Sequence, residues 1–322
     1  MRGDYRGHVP SDSTSLPGLA LARSGLERRA ERRATPGLIG ALLAAPATKV
    51  LPLRAGRAPI TEAEGRLALG WRPPAASDAD CLVAFLGEGV ADGVATDYVA
   101  VVEEGQAPKD DPAWRTLRQV GVELDDLDAG AFACALALAN WHAAHGFCSR
   151  CGHETAAATA GWTRRCPKDG SEHFPRTDPA VIMAVIDAQD RILLARGAGF
   201  TAAGMSVLAG FVEPGETLAA AVAREVREEV GLQVSEVTYL GDQPWPFPSS
   251  LMIGFLARTQ GSELTLIDGE IEAARWFSRE ELLSATASGA LAISGRLSIA
   301  RRLIEHWFGG PIDAPERVVR VR

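Results

Sequence analysis

The 322-residue chain has little cysteine: five residues, Cys81, Cys134, Cys148, Cys151 and Cys166. An odd and modest count at this length argues against a secreted disulfide framework and for a reducing compartment. A basic excess is missing as well. With 33 Lys and Arg against 41 Asp and Glu, the net charge is −8. That excludes a broad surface for tracking nucleic-acid phosphates, although a small phosphorylated ligand can still be held through divalent cations. Long apolar runs are also absent. Residues 1–15 have no apolar centre of the secretory kind, and Gly37 to Ala45 is too short to span a bilayer and reads as a buried helix. No membrane association and a cytoplasmic location are therefore expected. No Gly-x-Gly-x-x-Gly follows a strand, so hydride chemistry on a bound dinucleotide has no support.

What is present is enough apolar sequence, 47% of residues, for two medium domains. Residues 1–35 carry 7 arginines against 4 acids. They are expected to form a disordered tail, with an organellar address as the alternative. From 36 to 140, apolar runs such as Lys49 to Leu53, Cys81 to Leu86 and Tyr98 to Val102 alternate with Gly, Pro and Asp clusters and read as strands and turns. Ala129 to His145, alanine-rich and free of proline, reads as a helix connecting two domains. No chemical motif precedes it. A cysteine-bearing segment follows at 141–177, then a domain at 178–310 in which strands flank a long helix from Thr217 to Val230, and a tail at 311–322. Strands on both sides of a central helix predict an α/β sandwich, within a chain of α+β or α/β class.

The helix is the most informative stretch. Leu218, Val222, Val226 and Val230 recur every four residues as one apolar stripe, and Gly231 is placed to end the helix. Glu225, Glu228 and Glu229 stand at i, i+3 and i+4 and converge on a second face. Three carboxylates that close repel one another unless a cation sits among them, and a hard cation such as Mg²⁺ takes oxygen ligands while leaving room for substrate phosphates. A solvated charged face is the bland alternative, and three acids alone would favour it.

The wider pattern decides between them. Gly210, five residues, Glu216, seven residues, then Arg224-Glu225-Val226-Arg227-Glu228-Glu229-Val230-Gly231-Leu232 resembles the Nudix box at every fixed position. The resemblance implies a Nudix α/β/α sandwich and hydrolysis of a nucleoside diphosphate linked to another group. Glu225, Glu228 and Glu229 would hold two or three Mg²⁺ or Mn²⁺ ions, which neutralise the diphosphate and make hydroxide available near neutral pH. Glu229 is the choice for orienting or deprotonating the attacking water. Arg224 would hold Glu216 or a metal-binding carboxylate in place. Gly210 and Gly215 permit the tight loop before the helix, and the carbonyl of Ala209 is a further ligand by resemblance.

Downstream, Asp242-Gln243-Pro244-Trp245-Pro246-Phe247-Pro248-Ser249-Ser250 alternates prolines with aromatics, a stiff extended loop able to present rings for stacking. Read alone it is a rigid surface turn. Its order resembles the Ser-Gln-Pro-Trp-Pro-Phe-Pro-x-Ser signature of NADH pyrophosphatases within the Nudix family, with Asp242 in place of the first serine. The resemblance marks Gln243, Pro244, Trp245, Pro246, Phe247, Pro248, Ser249 and Ser250 as dinucleotide-contacting, with Phe211 and Phe174 as aromatic partners for the bases. It implies a homodimer, because the aromatic of His173-Phe174-Pro175-Arg176 comes from the opposite subunit. Glu270 matches the family's distant metal-binding and substrate-contacting glutamate, with Glu272 as its rival, and Ala300 a position touching substrate through its backbone.

Cys148-x-x-Cys151, fourteen residues, then Cys166-x-x-Asp169 has the spacing of a zinc-ribbon-like segment. Related enzymes carry a fourth cysteine where this chain has Asp169. Aspartate is a harder and weaker zinc ligand than thiolate, so Asp169 is a doubtful fourth ligand, with His153, His173 or an empty site as the alternatives. Cys81 and Cys134 read as buried small hydrophobes.

The expected reaction is attack of water on the NAD(H) diphosphate, giving NMN(H) and AMP. The alternatives are removal of NAD caps from RNA by the same site, another diphosphate such as ADP-ribose, and a non-catalytic nucleotide sensor. The region before Asp128 offers no residue for a functional assignment.

Overall fold

The computed structural model describes residues 16–91, 93–105, 111–266 and 269–316. The described residues divide into two compact units, one made of those within 16–20, 178–243 and 251–316, the other of those within 21–177 together with 244–250. Among the described residues no helix is long and apolar enough to cross a membrane.

The unit built around 21–177 begins with helix α1 (Leu38–Ala44) and strands β1 (Lys49–Leu53), β2 (Arg57–Ala63) and β3 (Arg66–Leu69). Strands β4 (Leu82–Ala91) and β5 (Val94–Val102) follow, then β6 (Trp114–Thr116) with the short helix α2 (Leu117–Val120). β1 lies parallel to β5, and β5 antiparallel to β4, while β2 joins β3 and β6 in a second small sheet. Val50, Val83, Phe85, Val99 and Val101 from the first sheet close over Leu42 of α1. Alternation puts them on one face, as the pleat requires.

Helix α3 (Asp126–Ala144) starts where the Asp125 side chain accepts the Asp128 N–H. It was expected as a connection between domains, yet Ala129, Ala131, Phe132, Ala135, Leu136, Leu138 and Trp141 are all buried within this one unit. A helix apolar on most sides is an interior element. Its buried Asp128 carboxylate accepts Leu69 N–H at 2.7 Å and Trp71 Nε1–H at 2.8 Å, which satisfies the charge that burial would otherwise penalise. The segment with strands β7 (Ala156–Ala158), β8 (Thr163–Arg165) and β9 (Glu172–His173) stays in the same unit, with Trp162 Nε1 donating to Phe85 O at 2.7 Å.

The other unit is one six-stranded sheet with helices on both faces. Its strands are β10 (Asp178–Ile186), β11 (Ile192–Gly197), β12 (Leu208–Phe211), β13 (Val234–Trp245), β14 (Ser250–Thr259) and β15 (Ile271–Phe277), ordered β13-β14-β10-β11-β15 with β12 paired to β10. Period two sorts the side chains of β10. Val181, Met183 and Val185 meet helix α4 (Leu218–Val230) through Ala221, Val222, Val226 and Val230. Ile182, Ala184 and Ile186 share the other core with α5 (Arg279–Ala287) and α6 (Ile299–Phe308), represented by Leu282, Leu303, Ile304 and Trp307. This is the α/β/α sandwich expected for the Nudix fold. One member of the predicted stripe departs: Leu218, the first residue of α4, is 38% exposed.

The expectation of a tail at 1–35 is corrected from Leu16 onward, while residues 1–15 lie outside the described ones. Leu16 and Leu19 join the core of the sandwich unit, where Leu16 N donates to Leu240 O at 2.7 Å. In the other unit Leu21 is buried and the arginines act as anchors. Arg23 donates to the carbonyls of Leu124 and Gly121, and Arg32 forms a two-pronged pair with Asp97 at 2.6 and 2.9 Å. The C-terminal stretch is likewise packed as far as it is described: Ile312 is buried, and Ile293 N donates to Pro315 O.

Candidate functional site

Helix α4 carries the acids because its two ends are well fixed. The Thr217 hydroxyl accepts Ala220 N–H at 3.2 Å at the start, and Gly231, at φ 73°, ends it in the left-handed conformation that glycine adopts most cheaply. With Val222, Val226 and Val230 turned into the core, the adjoining face presents Glu225 half-buried, Glu228 exposed and Glu229 buried at 6% exposure.

Arg224 organises this face. Its guanidinium grips Glu216 with Nη2 at 2.6 Å and Nε at 3.2 Å, a forked geometry that lysine could not reproduce. Nη1 reaches Glu225 at 2.8 Å and Glu228 at 3.1 Å, and Nη2 also donates to Phe211 O at 2.9 Å. Side-chain hydrogen bonding to Glu216 holds the arginine well above its usual range, and the same bond holds the Glu216 carboxyl below its own. Burial pushes Glu225 upward, against the pull of Arg224, and the charges of Glu228 and Glu216 add to the rise. Such a carboxylate gains from a nearby cation.

Strand β12 brings the backbone in. Ala209 pairs with Ile182 and Gly210 with Val181, which lays the strand beside α4. A Cβ at Gly210 would lie 2.0 Å from the Glu225 carboxylate, so only glycine permits this approach. The neighbouring Ala209 and Phe211 thus share the end of the strand that abuts Glu225. Phe211 is 61% exposed, a ring available for stacking. Carboxylates of graded burial beside a strand that lacks a side chain at Gly210 form a hard oxygen donor set suited to Mg²⁺ or Mn²⁺.

The other expected residues of this unit are placed less centrally. Glu270 is exposed at the foot of β15, and its carbonyl accepts Ala198 N–H at 3.4 Å; its rival Glu272 is paired with Arg196 at 3.3 Å. Ala300 lies in the first turn of α6 with its side chain in the core and its N–H directed to the Ser298 hydroxyl at 3.2 Å. Gln243 is fully buried, and its amide donates to Leu297 O at 3.1 Å. It ties the end of β13 to the approach of α6 and offers no surface of its own.

Pro244 to Ser250 belong to the other unit. Trp245 and Phe247 pack edge to face at 4.9 Å, and the Arg118 guanidinium lies 3.8 Å from the Phe247 ring centre and 4.9 Å from that of Trp245. Asn140 of α3 donates to the carbonyls of Pro246 and Pro248. Neither Arg118 nor Asn140 was identified from sequence, and no local spacing marks them. Phe174, just beyond β9, is 67% exposed.

The cysteine cluster is a pair of matching knuckles. Gly152 N donates to Cys148 O at 2.9 Å and Gly170 N to Cys166 O at 3.0 Å, so Asp169 holds in the second turn the place of Cys151 in the first. The ligand atoms of Cys148, Cys151, Cys166 and Asp169 all lie within 4.8 Å of one another. Four donors this close fit the edges of a small tetrahedron, as structural zinc requires. Asp169 is brought to the fourth position of this donor set, whereas neither histidine belongs to it; His173 Nε2 faces the Ser171 hydroxyl at 3.3 Å. The Ser171 side chain lowers the Cys148 thiol to about 6 and, with its amide, holds Asp169 far below the carboxylate range. The His153 amide pulls Cys151 down, but burial and the neighbouring Cys166, Cys148 and Asp169 outweigh it and leave it at about 11.

An oxygen-rich cluster on a helix of an α/β/α sandwich, in a chain whose other unit carries a four-donor knuckle pair, defines a metal-dependent hydrolase of phosphoanhydrides. The NUDIX domain family matches residues 176–294, and the NADH pyrophosphatase zinc ribbon domain matches 143–174. The NAD-capped RNA hydrolase NudC of Mycobacterium tuberculosis is 43% identical over 258 residues, covering 77% of this chain and 82% of that protein. The human NAD-capped RNA hydrolase NUDT12 is 41% identical over 198 residues, 58% of this chain and 43% of its own length. A solved NUDIX hydrolase from Nitrosomonas europaea aligns with 53% of this chain and 97% of its own at 24% identity and a TM-score of 0.41. The chain belongs to the Nudix hydrolases, in the branch that carries the NADH pyrophosphatase zinc ribbon.

Proposed function

We propose that this chain hydrolyses the diphosphate of NAD(H) to NMN(H) and AMP. The observation that carries the reading is the intact Arg224–Glu216–Glu225–Glu228 constellation in a chain that also holds the proline-aromatic loop from Gln243 to Ser250. The reading of a non-catalytic sensor is set aside, since the relatives are named hydrolases and every box carboxylate is retained.

Glu225, Glu228, Glu229, Glu270 and the Ala209 carbonyl would hold Mg²⁺ or Mn²⁺. When bound, these ions neutralise the diphosphate and make water a stronger acid. The chain's own part is positional and protolytic. Glu229, the most buried of the three helix acids, orients the attacking water and takes its proton. Oxygen of that water joins one phosphorus as the bridging P–O bond breaks, and the leaving phosphate departs with the bridging oxygen. Arg224 holds Glu216, Glu225 and Glu228 in register and does not itself touch substrate. Phe211, Trp245, Phe247 and Phe174 supply faces for the two bases.

A second reading deserves its own test because both relatives above are named for it: the same site removes an NAD cap from RNA. The exposed Phe174 would act across a homodimer, as the family resemblance implies. A cytoplasmic location fits five free thiols. Purified protein with Mg²⁺ and NADH should release NMNH and AMP by chromatography, and NAD-capped RNA should yield 5′-monophosphate RNA. Intact NADH after prolonged incubation would end the first reading. A monomer by light scattering would end the homodimer.

A further inference from the structure

The segment Pro244 to Pro248 has an unusual hydrogen-bond inventory. Three of its five residues are prolines, which bring carbonyl acceptors and no N–H. Within it Phe247 N donates to Trp245 O at 2.7 Å. The strands β13 and β14 hold its two ends, and the proline carbonyls between them are acceptors that an outside donor can fix.

Asn140 is that donor. From the penultimate turn of α3, its side-chain amide reaches Pro246 O at 3.0 Å and Pro248 O at 3.3 Å. An amide nitrogen has two hydrogens, one for each carbonyl. Pro246 O belongs to the peptide plane that enters Phe247 and Pro248 O to the plane one residue beyond it, so pinning both fixes the backbone before and after that ring, which packs edge to face on Trp245. The anchor itself is stiff. Leu136, Leu138 and Trp141, around Asn140 on α3, are all buried. We propose that Asn140 is a positioning residue for substrate recognition, fixing the Trp245 and Phe247 rings by clamping the proline carbonyls. The proposal rests on the NAD(H) reading of the loop.

Only some side chains can do this work. Alanine leaves both carbonyls to water and frees the loop. Aspartate, nearly the same shape, sets a carboxylate against two carbonyl oxygens. Histidine keeps a ring N–H at about the position of the asparagine nitrogen and can hold one carbonyl.

The experiment uses the full chain with Mg²⁺ and compares wild type with Asn140→Ala, Asn140→Asp and Asn140→His. Expected for the Ala and Asp variants is a rise of about tenfold in KM for NADH, with kcat within about twofold, and partial recovery of KM in the His variant. Hydrogen exchange at the amides of Trp245, Phe247, Ser249 and Ser250 should quicken in the same variants, while exchange in α3 stays unchanged. An unaltered KM together with unaltered loop exchange overturns the proposal. So does a fall in kcat accompanied by faster exchange throughout α3, the mark of a residue that merely supports the fold. Should the wild-type protein leave NADH intact, the NAD(H) reading fails, and the loop exchange still decides whether Asn140 is the clamp.

Discussion

The two metal clusters of this chain follow opposite plans. In the knuckles, four protein donors already lie within 4.8 Å of one another, each brought there by a backbone turn. On α4, the acids are arrayed by helix periodicity and gathered by a protein cation, Arg224, which contacts Glu216, Glu225 and Glu228. A site closed by four protein ligands holds a structural ion and admits no substrate. One whose carboxylates leave coordination positions to water and phosphate can do chemistry. Exposure separates the two only in part: Cys148 and Cys166 are buried but Asp169 is exposed, and Glu228 is 48% exposed while Glu229 is buried.

Breaking the open cluster should have the largest effect on rate and little on folding. Glu229→Gln keeps shape and burial but removes the group assigned to the water's proton. Turnover of NADH is expected to fall about a thousandfold with the melting temperature held or raised. Retained activity in a steady-state assay with Mg²⁺ would refute the assignment of Glu229. Breaking the closed cluster should do the reverse. Cys148→Ser is expected to abolish retention of one zinc per chain, measured by elemental analysis, and to lower the melting temperature by about 10 °C. One zinc per chain retained in the variant would refute Cys148 as a ligand the ion needs, and none in either protein would show that the knuckles bind no zinc.

The same contrast can be sharpened by a gain. Asp169 sits where the matching knuckle has Cys151, so Asp169→Cys should convert the donor set to four thiolates without moving the backbone. Thiolate is the softer and better zinc ligand, and zinc transfer to a competing chelator is expected to slow about tenfold. NADH turnover, which belongs to the other cluster, should stay unchanged. A faster transfer would place the Asp169 carboxylate, held by Ser171 at 2.6 Å, among the better donors for this turn.

How much of this was legible depended on whether the signal was local. The stripe Val222, Val226 and Val230 and the acids beside it follow from a period of 3.6 residues, and the strand from Ala180 to Ile186 from its apolar run. Leu218 broke the pattern: it is the first residue of α4 and 38% exposed. β12 was not anticipated: four residues including Ala209 and Gly210 carry too little apolar weight, and their role is to let Glu225 approach. α5 announces itself only by the Ser278 and Glu281 capping pair, a signal available in the sequence. The packing of residues 16–35 was hidden for another reason. Arg23 finds its carbonyls about a hundred positions on, and Arg32 finds Asp97 sixty-five on. Asn140 and Arg118 escaped in the same way, being neighbours of the proline loop in space only.

The smallest expected effect separates the units by acid. His142, 6% exposed beneath the knuckles, has Nε2 at 2.9 Å from Gly161 O and Nδ1 at 3.0 Å from Arg164 Nη1. The carbonyl requires a proton on Nε2, and the arginine requires Nδ1 to accept, so the neutral ring is the form that fits. Burial lowers its pKa; the Gly161 carbonyl opposes this, and the Arg164 charge adds to it. A histidine lowered on folding is protonated first in the unfolded chain. Its stabilisation is therefore full above the unfolded value of about 6.5 and is lost as pH falls below that, down to the folded value. Glu225 behaves in the opposite sense. Raised on folding by burial, it takes up its proton earlier in the folded chain, so its contribution shrinks as pH rises through the window between unfolded and folded values. Mild acid, from about pH 7.5 to about pH 5.5, should thus weaken the unit that holds His142 without a matching loss from Glu225. Loss of zinc in acid acts in the same direction, but it is common to wild type and His142→Gln. The difference in slope of melting temperature against pH between those two proteins isolates the histidine, and the Gln variant should be the flatter; parallel slopes would mean the destabilising proton enters elsewhere.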